Sequence, residues 1–388
     1  MIMLELLKKL VELKGSDLHL MGGLPPAVRV HGHLSPLPGY DRLSPDKVQE
    51  IVYGILSDDQ KRNFEQDKEY RHELDFGYGV PGLGRFRCNV HKQRGTVALS
   101  IRALASAIPK LGDLGLPESV KTFIQAKRGL VLVTGPTGCG KSTTLAAVID
   151  AINSTRSDHI ITIEDPIEYL HNSKKAYVTQ REVGPHGDTL SFKNALKYAL
   201  RQDPDVILVG EMRDFETIGV AITSAETGHL VFATLHTVSA AQTIERIVDV
   251  FPTDQQPQVR TQLAGNLLGV VSQVLLPRCD QPGRALACEV LIANFAVRNN
   301  IRMGKPEAIY QAIQTGISEG MVTMDQSLTK LCKEGKIDYE TARPYIYDKT
   351  THETLRTYQK PHPRPSFPGA APQPAIRPAS HGPAGEKK

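Results

Sequence analysis

The feature that most constrains this chain is Gly135, Pro136, Thr137, Gly138, Cys139, Gly140, Lys141 and Ser142, set between an apolar run at 130–134 and a helical stretch at 142–152. A Gly-x-x-x-x-Gly-Lys-Ser turn that ends a strand and opens a helix predicts a loop that wraps phosphate with backbone N–H groups. The helix N-terminus adds partial positive charge there. In this reading Lys141 bridges the β- and γ-phosphates and the Ser142 hydroxyl ligates Mg²⁺, so ATP and Mg²⁺ are the expected ligands.

The surrounding pattern agrees with that loop. From about residue 118, apolar runs at 130–134, 160–163, 206–209 and 230–233 alternate with helical segments at 142–152 and 191–201. Continuous β-rich runs separated by helices predict a parallel sheet covered on both faces, hence an α/β fold. Beyond 235 the chain reads as helical, with 239–250 and 255–276 as the main segments. Residues 1–107 mix short helices and strands: 27–30 and 97–101 read as strands, and 45–56 as a helix with Ser44 as N-cap. A linker rich in turn residues, 108–117, separates this part from an ATPase unit at 118–350. From 351 onward a disordered tail is expected, because residues 360–388 hold eight prolines with Gly, Ala and Ser.

Parallel sheets carry their chemistry at the carboxyl ends of their strands. Glu211 stands one glycine beyond the run 206–209 and is the candidate base for activating water. Glu164, Asp165 and Glu168 follow the run 160–163 as further candidates, Asp165 toward the metal. His229 and His236 flank the run 230–234 and are candidates for contacting the γ-phosphate.

Composition narrows the function classes. With 40% apolar and 23% charged residues the chain can bury a core, and a net charge of +4 argues for neither nucleic acid nor lipid. Trp is absent, and neither a basic stripe nor a base-stacking aromatic platform is present, so a nucleic-acid motor is disfavoured. Five scattered cysteines without a Cys-x-x-Cys pair fit a reducing compartment and give no zinc site. The amphipathic start, residues 1–13, lacks the long apolar core of a signal peptide, so a cytoplasmic location is expected.

Taken in order, these residues resemble the secretion ATPase superfamily and, within it, the PilT-like type IV pilus retraction ATPases. Four signatures carry the resemblance: the phosphate loop at 135–144, which includes Thr143, an aspartate box at 162–170, a glutamate-bearing Walker B segment at 200–214 and a histidine box at 223–237. The stretches Gly15, Ser16, Asp17, Leu18, His19, Leu20 and Gly84, Arg85, Phe86, Arg87, Cys88, Asn89 are similar to it too. The resemblance covers about residues 1–347. It implies a PAS-like N-terminal α+β domain, a RecA-like C-terminal domain with added helices, and a homo-hexamer with nucleotide at the domain interface. By the same resemblance Arg85, Arg87 and Arg94 match the segment that supplies arginines to the γ-phosphate, and Arg278 lies near the ribose or phosphates. Extension and type II secretion ATPases carry two Cys-x-x-Cys pairs, which this chain lacks. Ala296, Val297, Arg298, Asn299, Asn300 and Ile301 are similar to a motif associated with pilus retraction, departing from it at Val297 and Asn300. The implied partners are an inner-membrane pilus platform protein, at the cytoplasmic face of that membrane, and a paralogous retraction ATPase. Two alternatives stand beside retraction: another motor of the superfamily, driving extension, secretion or DNA uptake, and an ATP-binding accessory subunit that barely turns over.

Overall fold

The computed structural model describes residues 2–30, 32–66, 72–104, 107–184 and 187–358. Its first sheet is antiparallel and holds β1 (Asp17–Leu20), β2 (Ala27–Val30), β3 (His33–Pro36), β4 (Glu73–Val80), β5 (Gly84–Gln93) and β6 (Thr96–Ala103), in the order β3-β2-β1-β6-β5-β4. Inward positions such as Leu18, Val28, Phe76, Cys88, Val90 and Ile101 alternate with polar ones. They bury against the helices Ile2–Glu12, Pro45–Tyr53 and Asp58–Gln66, which supply Leu6, Leu7, Leu10, Val48, Val52 and Phe64. Ser44 caps the second of these helices, accepting from the Lys47 N–H. Residues 111–114 form a 3₁₀ turn ending at Gly115, φ 74°, and Leu111 and Leu116 pack on the core of the following unit.

The second sheet is built from β7 (Gly129–Thr134), β8 (His159–Glu164), β9 (Tyr177–Glu182), β10 (Val206–Val209), β11 (Leu230–Leu235), β12 (Leu267–Pro277) and β13 (Arg284–Ile292). Its order is β13-β12-β7-β11-β10-β8-β9, parallel throughout except for β13. Every residue of β7, β10 and β11 is buried, as strands covered on both faces must be. Helices Lys141–Thr155 on one face and Phe192–Ala199, Phe215–Glu226, Ala240–Asp249 and Gln256–Asn266 on the other supply the cover.

Two sequence expectations are corrected here. The stretch 255–276 is not one helix: the helix Gln256–Asn266 stops and β12 begins at Leu267. Residues 267–276 are largely apolar and covered on both faces because β12 lies between β7 and β13, and such a run has no alternation to mark it as a strand. The tail does not begin at 351 either. A helix, Lys349–Thr357, is capped by Asp348 and buries Leu355, whereas the proline-rich segment 360–388 lies outside the described residues. Among the described residues no helix is long and apolar enough to cross a membrane.

The retraction-motif segment is the helix Phe295–Arg302, with Val297 and Ile301 buried and Asn300 half-buried. Arg298 is turned inward: Nε donates to the Ala293 carbonyl at 2.8 Å, and Nη1 donates to Ala264 and Gly265 carbonyls at 2.6 and 2.7 Å. It thereby satisfies orphan carbonyls at the end of the preceding helix. Phe295, 83% exposed, is the large apolar side chain this segment presents outward, beside the exposed Asn299 and Arg302.

Candidate nucleotide site

The carboxyl edge of the second sheet opens into a cavity of about 390 Å³, lined by the phosphate loop, two acid-bearing loops, His236 after β11 and the β12–β13 hairpin. Gly135, Gly138 and Gly140 all take positive φ, 139°, 81° and 95°. Gly135 has no room for more than hydrogen: a Cβ there would stand 2.3 Å from the Gln273 carbonyl oxygen and 2.6 Å from Cys139 Sγ. A Cβ on Gly138 would meet nothing within 4 Å, which leaves the cradle open for a ligand. Gly140 caps the helix Lys141–Thr155 without a side-chain hydrogen bond, so the first N–H groups of that helix stay available to an anion.

Lys141 Nζ folds back onto its own loop, donating to Gly135 O at 2.8 Å and Pro136 O at 3.2 Å. Thr137, Ser142 and Thr143 line the cavity, and Thr143 Oγ1 lies 2.9 Å from Tyr169 Oη. Cys139 is buried under the loop, and burial pushes its thiol up. Thr144 is buried too, hydrogen-bonded to Gln273 of β12, which anchors the helix start.

Glu211 occupies the end of β10, its side chain 20% exposed. Arg213 grips it in bidentate fashion, Nε to Oε1 at 2.6 Å and Nη2 to Oε2 at 2.7 Å, and His236 Nε2 lies 3.1 Å from Oε1. These contacts, Arg213 foremost, hold its carboxyl below the usual carboxylate range. Glu164 sits in the opposite environment. Burial pushes its carboxyl up, although Thr162 Oγ1 donates to it at 2.6 Å and Gln180 Nε2 at 3.2 Å. Asp165 and Glu168 line the cavity rim, and burial raises Asp165 against the pull of Arg213 and Arg87. Two carboxylates pushed apart in this way can take different roles, Glu211 staying charged. Among the described residues no group of three His, Cys, Asp or Glu side chains could hold a metal by itself.

A chain of hydroxyls runs from the end of β7, just before the loop, to the residue after His236. Thr134 Oγ1, at the end of β7, lies 2.9 Å from Ser272 Oγ and 3.5 Å from Thr243 Oγ1, which lies 2.6 Å from Thr237 Oγ1 beside His236.

Some candidates stand elsewhere. His229 precedes β11 and therefore sits at the amino edge, about 20 Å of extended strand from His236. Its Nδ1 is tied to the Ser224 carbonyl at 2.9 Å, a structural contact. Arg278 lies outside the cavity, closing the hairpin turn through a bidentate pair with Asp280 at 2.8 and 2.5 Å, whereas Arg284 lines the cavity. Arg85 pairs with Glu182 of β9 at 2.6 Å, joining the two sheets. Gly77 makes the room: a Cβ there would stand 2.6 Å from Arg85 Nη2 and 2.9 Å from Glu182 Oε1. Arg87 is exposed and close enough to Asp165 to depress its carboxyl. Sequence reasoning missed Tyr169, His171, Phe192, Arg213 and Arg284; only Arg213, two residues beyond Glu211 in a loop, carried a local signal.

Residues 94–360, more than half of the chain, match the family described as Type II/IV secretion system protein. The chain belongs to that family. Within this secretion-system family it is 50% identical over 328 residues to the type IV pilus retraction ATPase PilT of Pseudomonas aeruginosa, covering 84% of this chain and 93% of that protein. It is 49% identical over 318 residues to a twitching motility protein of Neisseria gonorrhoeae, covering 82% and 83%. The crystal structure of the pilus retraction motor PilT with bound ADP superposes with a TM-score of 0.83 at 49% identity, covering 91% of this chain and 99% of that one. The α/β reading, with an N-terminal unit ahead of a secretion-family ATPase unit, is thereby borne out.

The raised carboxyl of Glu164 gives this secretion-system protein a testable pH dependence. A folded pKa above the unfolded one means that the folded chain holds the proton more tightly. The stabilising contribution is thus full at low pH and is lost as pH rises from the ordinary glutamate range through the raised value. Glu164→Gln keeps an acceptor for Thr162 and Gln180 while removing the charge. Its melting temperature is expected to exceed that of the parent near pH 7 and to converge with it near pH 4. Thermal unfolding of both chains across that range checks this; a Gln variant less stable near pH 7 would show that Glu164 is charged and paired.

Proposed function

We propose that this chain hydrolyses ATP, with Mg²⁺, and drives type IV pilus retraction as a homo-hexamer. The observation that carries the proposal is Glu211, held ionised at the carboxyl edge beside the phosphate loop, in a chain half identical to a retraction ATPase over most of its length. The β-phosphate takes N–H groups of residues 137–142, Pro136 having none to give. Lys141 exchanges the carbonyls of Gly135 and Pro136 for phosphate oxygens, which are stronger acceptors because they are charged. The open glycine cradle and the hydroxyl of Ser142 fit Mg²⁺, which binds mostly through phosphate and water, and Asp165 would support it through water. When bound, the ion supplies charge neutralisation at the phosphates. Glu211 orients the attacking water and accepts its proton, with Arg213 and His236 fixing the carboxylate. Arg87, which has no carboxylate within bonding distance among the described residues, is the better placed of the N-terminal arginines to meet the γ-phosphate; Arg85 must first leave Glu182.

In this reading the ring works at the cytoplasmic face of the inner membrane against a platform protein, beside a paralogous ATPase, and the 108–117 segment is where its domains rock. Deleting the gene in its host is expected to leave excess surface pili and cells that no longer twitch, scored by electron microscopy and colony spreading. Bald cells would reassign the chain to extension, and unaltered pili and twitching would remove it from the retraction step.

A further inference from the structure

His236 hangs on a short connection. β11 ends at Leu235 and the next helix begins at Ala240, with Ser239 as its N-cap. The His236 side chain is 47% exposed, and its Nε2 reaches Glu211 Oε1 at 3.1 Å. A half-exposed side chain is held little by packing. Its place beside Glu211 depends on how the backbone of the connection is fixed.

The fixing contact is made by the next residue. Thr237 Oγ1 lies 2.6 Å from Oγ1 of Thr243, a buried residue one turn into the helix Ala240–Asp249. A hydroxyl carries one hydrogen. Thr243 gives its own to the Ser239 carbonyl at 2.7 Å, so toward Thr237 it serves as acceptor. The helix start is itself anchored, because the Ala240 N–H donates to the buried Glu289 of β13 at 2.8 Å. On its other side Thr243 Oγ1 lies 3.5 Å from Thr134 Oγ1. Thr134 is the last residue of β7, paired with Leu235 of β11 and Ser272 of β12. Thr243 therefore stands between the residue before the phosphate loop and the residue after His236, and it does not line the cavity.

We propose that Thr243 is a positioning residue for hydrolysis: its hydroxyl pins Thr237 and thereby keeps His236 on Glu211. This rests on the proposed ATP site and adds to it the group that holds the histidine in place. The test measures steady-state phosphate release by the full-length chain at varied ATP. Thr243→Val replaces the hydroxyl by a methyl of similar size. It is expected to lower kcat about three- to tenfold, the worth of one neutral hydrogen bond. KM for ATP is expected to stay at the parent value, since no group lining the cavity is altered. Thr243→Ser keeps the hydroxyl and is expected to restore kcat. Thr237→Val removes the same contact from its half-buried end and is expected to match Thr243→Val; it reads the contact even where the buried substitution fails to fold. On a His236→Ala background Thr243→Val is expected to cost nothing further, because the side chain it positions is gone. Valine variants that turn over as the parent does would overturn the proposal. So would a serine variant as slow as the valine one, which would make the role one of packing. A change in KM alone would assign Thr243 to the phosphate loop through Thr134, and losses that add to that of His236→Ala would show a route that bypasses the histidine; either result overturns it as well. A parent chain that releases no phosphate would instead overturn the ATP-hydrolysis reading on which the proposal rests.

Discussion

Glu211→Gln is expected to bind ATP as the parent does while releasing phosphate about 10²–10⁴-fold more slowly, the usual worth of a positioned general base. The amide has nearly the carboxylate's shape, so the cavity stays open and the phosphate loop is untouched. It cannot accept a proton, and it replaces one charged acceptor of Arg213 by an N–H₂. The geometry also predicts a pH signature. Arg213 and His236 lower the Glu211 pKa, so the acid limb that Glu211 imposes on steady-state turnover lies below the ordinary carboxylate range. Arg213→Ala should move that limb upward, because the largest cause of the shift is gone. Phosphate release and nucleotide binding measured side by side decide the matter. Turnover retained in the Gln variant would remove Glu211 as the base, and a limb that ignores Arg213 would mean that another group controls it.

The second large effect is expected at a methyl group. Gly135→Ala places a Cβ 2.3 Å from a backbone oxygen of β12, at a φ of 139° that L-residues rarely adopt. Neither neighbour can retreat: Gln273 is fixed in β12 between β7 and β13, and Cys139 is buried under the loop. We expect a loss of roughly 2–4 kcal/mol of stability, as for other strained buried positions, together with loss of nucleotide binding. Gly138→Ala is the control. Its Cβ meets nothing, so only the cost of a left-handed residue remains, about 1 kcal/mol. Chemical denaturation of both variants measures the difference. Near-equal midpoints would mean that the loop and β12 are less tightly joined than their contact distances state.

What could be read in advance followed the physics of burial. The runs at 130–134, 160–163, 206–209 and 230–233 became β7, β8, β10 and β11, because a parallel strand covered on both faces has to be apolar throughout. The phosphate loop and Glu211 were legible because their spacing from those strands is local. β12 was not, since its apolar residues fit a buried helix equally well until β7 and β13 are seen on either side. The arginines failed for a related reason. Arg278 and Arg284 stand at the two ends of one turn, and only the position of Asp280 and the hairpin's register decide which of them reaches the cavity. His229 and His236 look equivalent in sequence, yet one strand of six residues puts them on opposite edges of the sheet. Arg298, read as part of a partner motif, is taken up by the carbonyls of an adjoining helix.

The pair formed by Arg85 and Glu182 bears on how the two sheets can move. Its attraction depends on a short gap and on the scarcity of water around it, with side-chain exposures of 22% and 10%. Opening the gap by little more than a water diameter hydrates both charges and removes most of that attraction. The contact therefore acts as a catch with two positions, engaged or released, and not as a spring that yields by degrees. Gly77 leaves the space in which guanidinium and carboxylate meet, so a larger residue there would make both side-chain ends shift before the catch could close.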